Sequence, residues 1–189
     1  VIGQMMEKVT LPPVKPRRTE EQILKECPWA TTGRTHHRSP NIITSLELKP
    51  EVMEQRNLHL QAKYREVEQK EVRYETEQCD DADCLIVAFG SAARIAEKSV
   101  ELAREQGIKA GLFRPITLWP FPSKALAEMA RGKRHILVAE INAGQMIQDV
   151  RLAVDGLAPV SHFGRLGGIV PEPAEIVDEL IARLEQHDN

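Results

Sequence analysis

CLIVAFGSAARIAEKSVELAREQGIKAGLF, residues 84–113, decides the fold. Residues 84–89 are a continuous apolar run rich in β-formers and closed by Gly90, the pattern of a buried strand. Ser91 can then cap a helix reaching Gln106, with Ile95, Ser99, Leu102 and Ala103 on one face and Gly107 as its stop. Residues 108–113 read as a second strand. The same rhythm continues outward. Residues 123–131 make a short helix stopped by Gly132, and HILVA (135–139) makes a third strand. Asn142 can cap a helix carrying Met146, Ile147, Val150 and Val154, stopped by Gly156. Residues 159–163 form a fourth strand. Pro173 opens a last helix with Ile176, Val177, Leu180, Ile181 and Leu184 inward.

Strand–helix alternation of this kind predicts an α/β fold: three α/β/α layers around a mostly parallel sheet. Right-handed crossovers favour the order second, first, third, fourth strand. An extra strand from residues 42–48 or 71–76 joins an edge, antiparallel. The switch point then falls between the first and third strands, where such sheets place ligand crevices.

Upstream, residues 1–50 read as an irregular extension from a preceding domain. Pro12, Pro13, Pro16, Pro28, Pro40 and Pro50 interrupt any long element. One short helix is expected near 19–26, with Thr19 as cap and Gln22 three positions on. Residues 51–77 read as a long connecting helix. They lack Gly and Pro, and Met53, Leu60, Val67 and Tyr74 recur every seven residues, with Tyr64 on the same side. Glu66 and Lys70 are a favourable i,i+4 pair. The end of this stretch, near 71–76, can turn into a strand. The α/β domain proper is 78–189.

Composition narrows the function. A chain of 189 residues with 42% hydrophobic and 28% charged residues has a globular balance. Its core must be aliphatic, with only two Trp, two Tyr and four Phe. A net charge of −3 argues against nucleic-acid partners. No apolar run approaches the ~18 residues of a spanning helix, so no membrane partner is expected. Three cysteines are too few for a disulfide framework, and no secretory pattern opens the chain, which fits a reducing cytoplasm. Position 1 is Val rather than Met, and the chain is expected to be part of a larger one.

Several stretches can carry chemistry. The switch point sets the Phe89-Gly90-Ser91 turn beside the 140–145 loop, each opening a helix whose N–H groups favour an anion. Gly90, Ser91, Glu140, Asn142 and Gly144 are crevice candidates, with Ser91 and Asn142 serving equally as plain caps. Glu140 ends a buried strand and needs a partner: Arg94, Arg114 or a residue of another chain. GRLGG (164–168) permits close backbone approach, as an anion nest or a subunit contact through Arg165, or as a mobile turn. RPITLWPFP (114–122) is stiffened by prolines and presents Trp119 and Phe121, which we read as a subunit-contact surface rather than a lid on the core. His36 and His37 lie in a polar, basic loop without supporting ligands, so a subunit contact rather than a metal site is expected. There is no Walker-type loop, GxSxG elbow or paired-cysteine motif. No catalytic residue is therefore assigned.

Taken together, TTG (31–33), the charged helix (51–75), VAFGSAARIAEKSVELAREQGIKAGLFRPITLWPFP (87–122), EINAGQMIQDVRLAV (140–154) and GRLGGIVPEP (164–173) resemble the α subunit of 2-oxoacid:ferredoxin oxidoreductases. They are most similar to the branched-chain type, which oxidises 2-ketoisovalerate. The resemblance implies a transketolase C-terminal-like domain. It also implies an enzyme converting 2-oxoacid, coenzyme A and oxidised ferredoxin into acyl-CoA, carbon dioxide and reduced ferredoxin, with thiamine diphosphate, Mg2+ and iron–sulfur clusters. Those cofactors' motifs are not in this sequence, so no cofactor is expected here. The implied partners are an upstream domain of the α subunit, the other subunits and, through the whole complex, ferredoxin. The implied role is scaffold and interface, inactive in isolation. The competing readings are a stand-alone module binding a nucleotide or other anion at the crevice, and a purely structural connector.

Overall fold

The structure, a computed structural model, describes residues 10–11, 13–31 and 40–188. These fall into two units, one within residues 7–61 and one within 62–189.

In the first unit, helix α1 (Glu20–Glu26) carries the expected capping box: Thr19 Oγ1 accepts from Gln22 N at 3.2 Å and Gln22 Oε1 accepts from Thr19 N at 2.8 Å. Residues 42–48 form no strand, contrary to one of the two expectations for the edge. Ile42 and Leu48 there are instead 90% and 81% exposed. Helix α2 (Pro50–Lys70) crosses the boundary between the units. Met53, Leu60 and Val67 are half-buried in an otherwise mostly exposed helix, as the seven-residue spacing requires. Lys70 Nζ meets Glu66 Oε1 at 2.6 Å. The helix stops at Lys70, short of the 51–77 stretch, and Tyr74 belongs to the strand that follows.

The second unit holds strands β1 (Tyr74–Glu77), β2 (Cys84–Val87), β3 (Ala110–Pro115), β4 (His135–Glu140) and β5 (Val160–Gly164). Between and after them lie α3 (Gly90–Glu105), α4 (Ser123–Ala130), α5 (Met146–Val154) and α6 (Pro173–Asp188). The sheet order is β1-β3-β2-β4-β5. All neighbours are parallel except β1, which runs antiparallel to β3 at the edge. The sequence order and the antiparallel edge strand near 71–76 are thus both found.

Alternation along the strands divides the core in two. Cys84, Ile86, Leu112 and Leu137 face α3 and α6, with Val100, Ile176 and Leu180. Leu85, Val87, Phe113, Ile136 and Val138 face α4 and α5, with Leu126, Ile147 and Val150. The Arg104 guanidinium of α3 ties the turn before β2, donating to Gln78 O at 2.7 Å and pairing with Asp81 at 2.7 Å. That guanidinium holds the Asp81 carboxyl below its ordinary range. β2 and β4 pair directly, so the switch point lies where it was expected.

Candidate functional site

At the carboxyl end of β2 the chain turns at Gly90, whose φ of +55° selects glycine although a side chain would meet nothing within 4 Å. α3 begins there, with Phe89 as its cap through the backbone alone. Ser91 is therefore not the cap; it sits exposed in the first turn.

At the end of β4, Glu140 is 1% exposed, and within the chain its hydrogen-bond donors come from the loop and helix that follow it rather than from Arg94 or Arg114. Its Oε1 accepts from Met146 N at 2.8 Å, Gln145 N at 3.3 Å and Asn142 Nδ2 at 3.1 Å. Its Oε2 accepts from Ile147 N at 3.1 Å. The three main-chain donors are the first free N–H groups at the start of α5, so a buried carboxylate meets the positive end of a helix and is satisfied there. The anion that the 140–145 loop favours is thus supplied by the chain itself. The helix cap position is Gln145, not Asn142. Asn142 Oδ1 instead shapes the loop, accepting from Gly144 N at 2.7 Å and Gln145 N at 3.2 Å. Gly144 has φ +101°.

β5 closes against this loop. A Cβ on Gly164 would collide with the Asn142 carbonyl and the His162 ring, so glycine here answers a close approach. Sequence reasoning missed His162, whose Nε2 lies 3.6 Å from Glu140 Oε2. The signal was present: His162 is two residues before Gly164 and shares its side of the strand. Arg165 is engaged within the chain. Its guanidinium pairs with Glu175 of α6 and lies 5.9 Å from the centre of the Phe163 ring. Its N–H donates to Glu140 O at 3.3 Å. Gly167 and Gly168 take φ of +65° and +84°, the left-handed turn that lets the chain reach α6. The structure thus gathers Glu140, Asn142, Gly144 and Arg165 in one assembly. No described contact joins Gly90 or Ser91 to it.

The 114–122 stretch builds a second feature. Ile116 N and Thr117 N donate to Arg73 O at 3.0 and 3.1 Å, Arg73 N donates to Thr117 Oγ1 at 3.0 Å, and Thr117 Oγ1 donates to Pro120 O at 2.9 Å. The Trp119–Pro120 peptide is cis. Trp119 is 57% exposed and meets Tyr64 edge-on, with centroids 5.6 Å apart. Phe121 is half-buried against the α4–α5 side of the core. Tyr74 stacks on Phe113 at 5.2 Å. Between Val72, Tyr74, Trp119, Phe121 and Lys124 lies an open groove of about 620 Å³, with Glu68 on its wall. His36 and His37 lie outside the described residues.

Among the described residues no three His, Cys, Asp or Glu side chains are placed to hold a metal ion. Cys79 and Cys84 are buried, and desolvation pushes both thiols up, Cys84 to about 11. Neither suits nucleophilic work. No helix of the described residues is long and apolar enough to cross a membrane.

Residues 82–176 match the model of the pyruvate:ferredoxin oxidoreductase core domain II family. The chain is 38% identical over 183 residues to the ketoisovalerate oxidoreductase subunit VorB of Methanothermobacter thermautotrophicus, covering 95% of this chain and 49% of that protein. It is 32% identical over 182 residues to the 2-oxoglutarate synthase subunit KorA of Archaeoglobus fulgidus, covering 94% of this chain and 50% of that one. The chain therefore spans about half the length of the curated relatives it matches. A 2-oxoglutarate:ferredoxin oxidoreductase from Magnetococcus marinus, solved with 2-oxoglutarate, coenzyme A and succinyl-CoA bound, superposes with a TM-score of 0.63 at 21% identity. That match covers 73% of this chain and 24% of that one and bears on the fold alone.

Proposed function

The chain belongs to the pyruvate:ferredoxin oxidoreductase core domain II family, and on that premise we propose that it serves a cytoplasmic 2-oxoacid:ferredoxin oxidoreductase as a scaffold and subunit-interface domain. The observation that carries this is the 38% identity, over 95% of the chain, to a ketoisovalerate oxidoreductase subunit. The preferred substrate in this reading is 2-ketoisovalerate. The enzyme joins its acyl group to coenzyme A, releases carbon dioxide and passes the two electrons to ferredoxin.

Thiamine diphosphate, Mg2+ and iron–sulfur clusters supply that chemistry in the whole enzyme. Among the described residues no three His, Cys, Asp or Glu side chains are grouped to hold a metal ion, and no step is routed through this chain. Its own contribution is architectural. Glu140 fixes the loop between β4 and α5, Arg165 ties β5 to α6, and the hydrogen-bonded 114–122 loop presents Trp119 to a neighbouring polypeptide. α2 acts as the connector between units.

The test is to tag the chain in its native host, isolate the assembly it joins, and assay coenzyme-A-dependent carbon dioxide release from a panel of 2-oxoacids. The reading expects the highest kcat/KM with 2-ketoisovalerate. Equal or better turnover of 2-oxoglutarate or pyruvate would overturn the substrate assignment.

A further inference from the structure

The groove beside Trp119 gathers both tyrosines of an aromatic-poor chain: Tyr74 lines it, and Tyr64 holds the Trp119 ring at its rim. Its wall is prolyl and aromatic, from Pro120, Phe121 and Pro122. The hydrogen bonds between Arg73, Thr117 and Pro120 fix the loop in place, so little entropy remains to be lost on docking. Aromatic, preformed grooves of this kind suit a polyproline helix, which has three residues per turn and no internal hydrogen bonds.

The sequence holds one such segment with charges that match. Pro13-Val14-Lys15-Pro16-Arg17 spaces two prolines three residues apart, on one face of a polyproline helix, with Lys15 and Arg17 on the others. The segment is in no helix or strand, all five residues are exposed, and Val14 is 88% exposed. It leads directly into the capping box of α1, which fixes its downstream end. Glu68 on the groove wall is the counter-charge for Lys15 or Arg17. The Trp119 indole N–H and Lys124 are donors for carbonyls that a polyproline helix leaves free.

We propose that the Trp119 groove is a polyproline-binding site and that its occupant is residues 13–17 of a second copy of this chain. This rests on the reading of the Trp119 loop as an assembly contact and names the partner at that contact. Exchanged reciprocally, the contact pairs two copies, each lending its proline segment to the other.

The experiment is sedimentation of the 189-residue chain over a wide concentration range. The expected result is concentration-dependent dimerisation, weakened at least tenfold by Trp119→Ala, by Pro13→Ala with Pro16→Ala, and by Glu68→Arg. Joining Glu68→Arg with Lys15→Glu and Arg17→Glu should restore it. Circular dichroism keeps loss of folding apart from loss of association. A chain that stays monomeric at every concentration overturns the proposal. So does dimerisation indifferent to the proline substitutions, and so does a monomer whose Trp119 environment changes with them, because the segment then docks on its own copy. Repeating the substitutions in the whole assembly separates the two ideas. If Trp119→Ala weakens assembly and the proline variants do not, only the named occupant is wrong. If neither matters, the contact reading itself fails.

Discussion

Glu140 Oε1 accepts the main-chain N–H of Met146 at 2.8 Å, so the acid that ends β4 is also the cap of α5. The strand, the loop and the helix are joined through one buried carboxylate. Glu140→Ala removes an acceptor shared by four donors and leaves buried N–H groups unpaired, which should cost about 3 kcal/mol. Glu140→Gln keeps one carbonyl oxygen and should cost roughly half as much. Urea denaturation of the three chains checks the order. A Glu140→Ala midpoint equal to the parent's would remove the capping role.

Gly164→Ala should destabilise more than Gly156→Ala. The first forces a methyl group into the Asn142 carbonyl and the His162 ring, an overpacking of roughly 2–3 kcal/mol. The second meets open space, with φ +79°, and bears only the backbone cost of about 1 kcal/mol. Thermal melts of the two variants give the ranking directly. The reverse order would mean the β5 end does not close on the loop as described.

Burial raises the Cys84 thiol to about 11, and Cys79 shifts the same way. Because the folded chain holds these protons more tightly, this contribution to stability is complete below about 8.5, the ordinary thiol value. It is then lost as pH rises through about 11. Melting temperatures should fall between those pH values, and less steeply in Cys84→Ala once its own cavity cost is subtracted. At neutral pH, iodoacetamide should modify half-buried Cys27 while sparing Cys79 and Cys84 until denaturant is added. Prompt labelling of Cys84 in the folded chain would contradict its placement.

Trp119→Ala should leave the isolated chain folded, with a loss near 1 kcal/mol, the worth of an edge-on ring pair. A buried aromatic would cost about 3–5 kcal/mol. The same variant should weaken association within the enzyme assembly. A large fall in the melting temperature of the isolated chain would restore the lid reading.

The parallel sheet was legible because residues 84–89 and 135–139 are short apolar runs, too buried and too brief to be helices, each followed by an amphipathic stretch. The edge strand was legible only as a choice between two stretches. Residues 42–48 alternate as well as β1 does, and what separates them is whether β3 offers an edge, which is a tertiary fact. Glu140 was recognised as a buried charge needing a partner, but the candidates were side chains. Three of its four hydrogen-bond donors are main-chain N–H groups, which every residue carries and no sequence distinguishes. The pairing of Arg165 with Glu175 was not legible either: Glu175 lies ten residues on, beyond helical spacing, and only the turn at Gly167 and Gly168 brings it near. The resemblance centred on residues 87–122 agrees with the family match over 82–176.

The most direct test of the account compares turnover by the isolated 189-residue chain with turnover by the assembly it joins. Both would receive 2-ketoisovalerate, coenzyme A, thiamine diphosphate, Mg2+ and oxidised ferredoxin, with acyl-CoA and reduced ferredoxin measured together. The account predicts no product from the chain alone and coupled formation of both products by the assembly. Acyl-CoA formation by the chain alone, or an assembly that oxidises no 2-oxoacid, would contradict it.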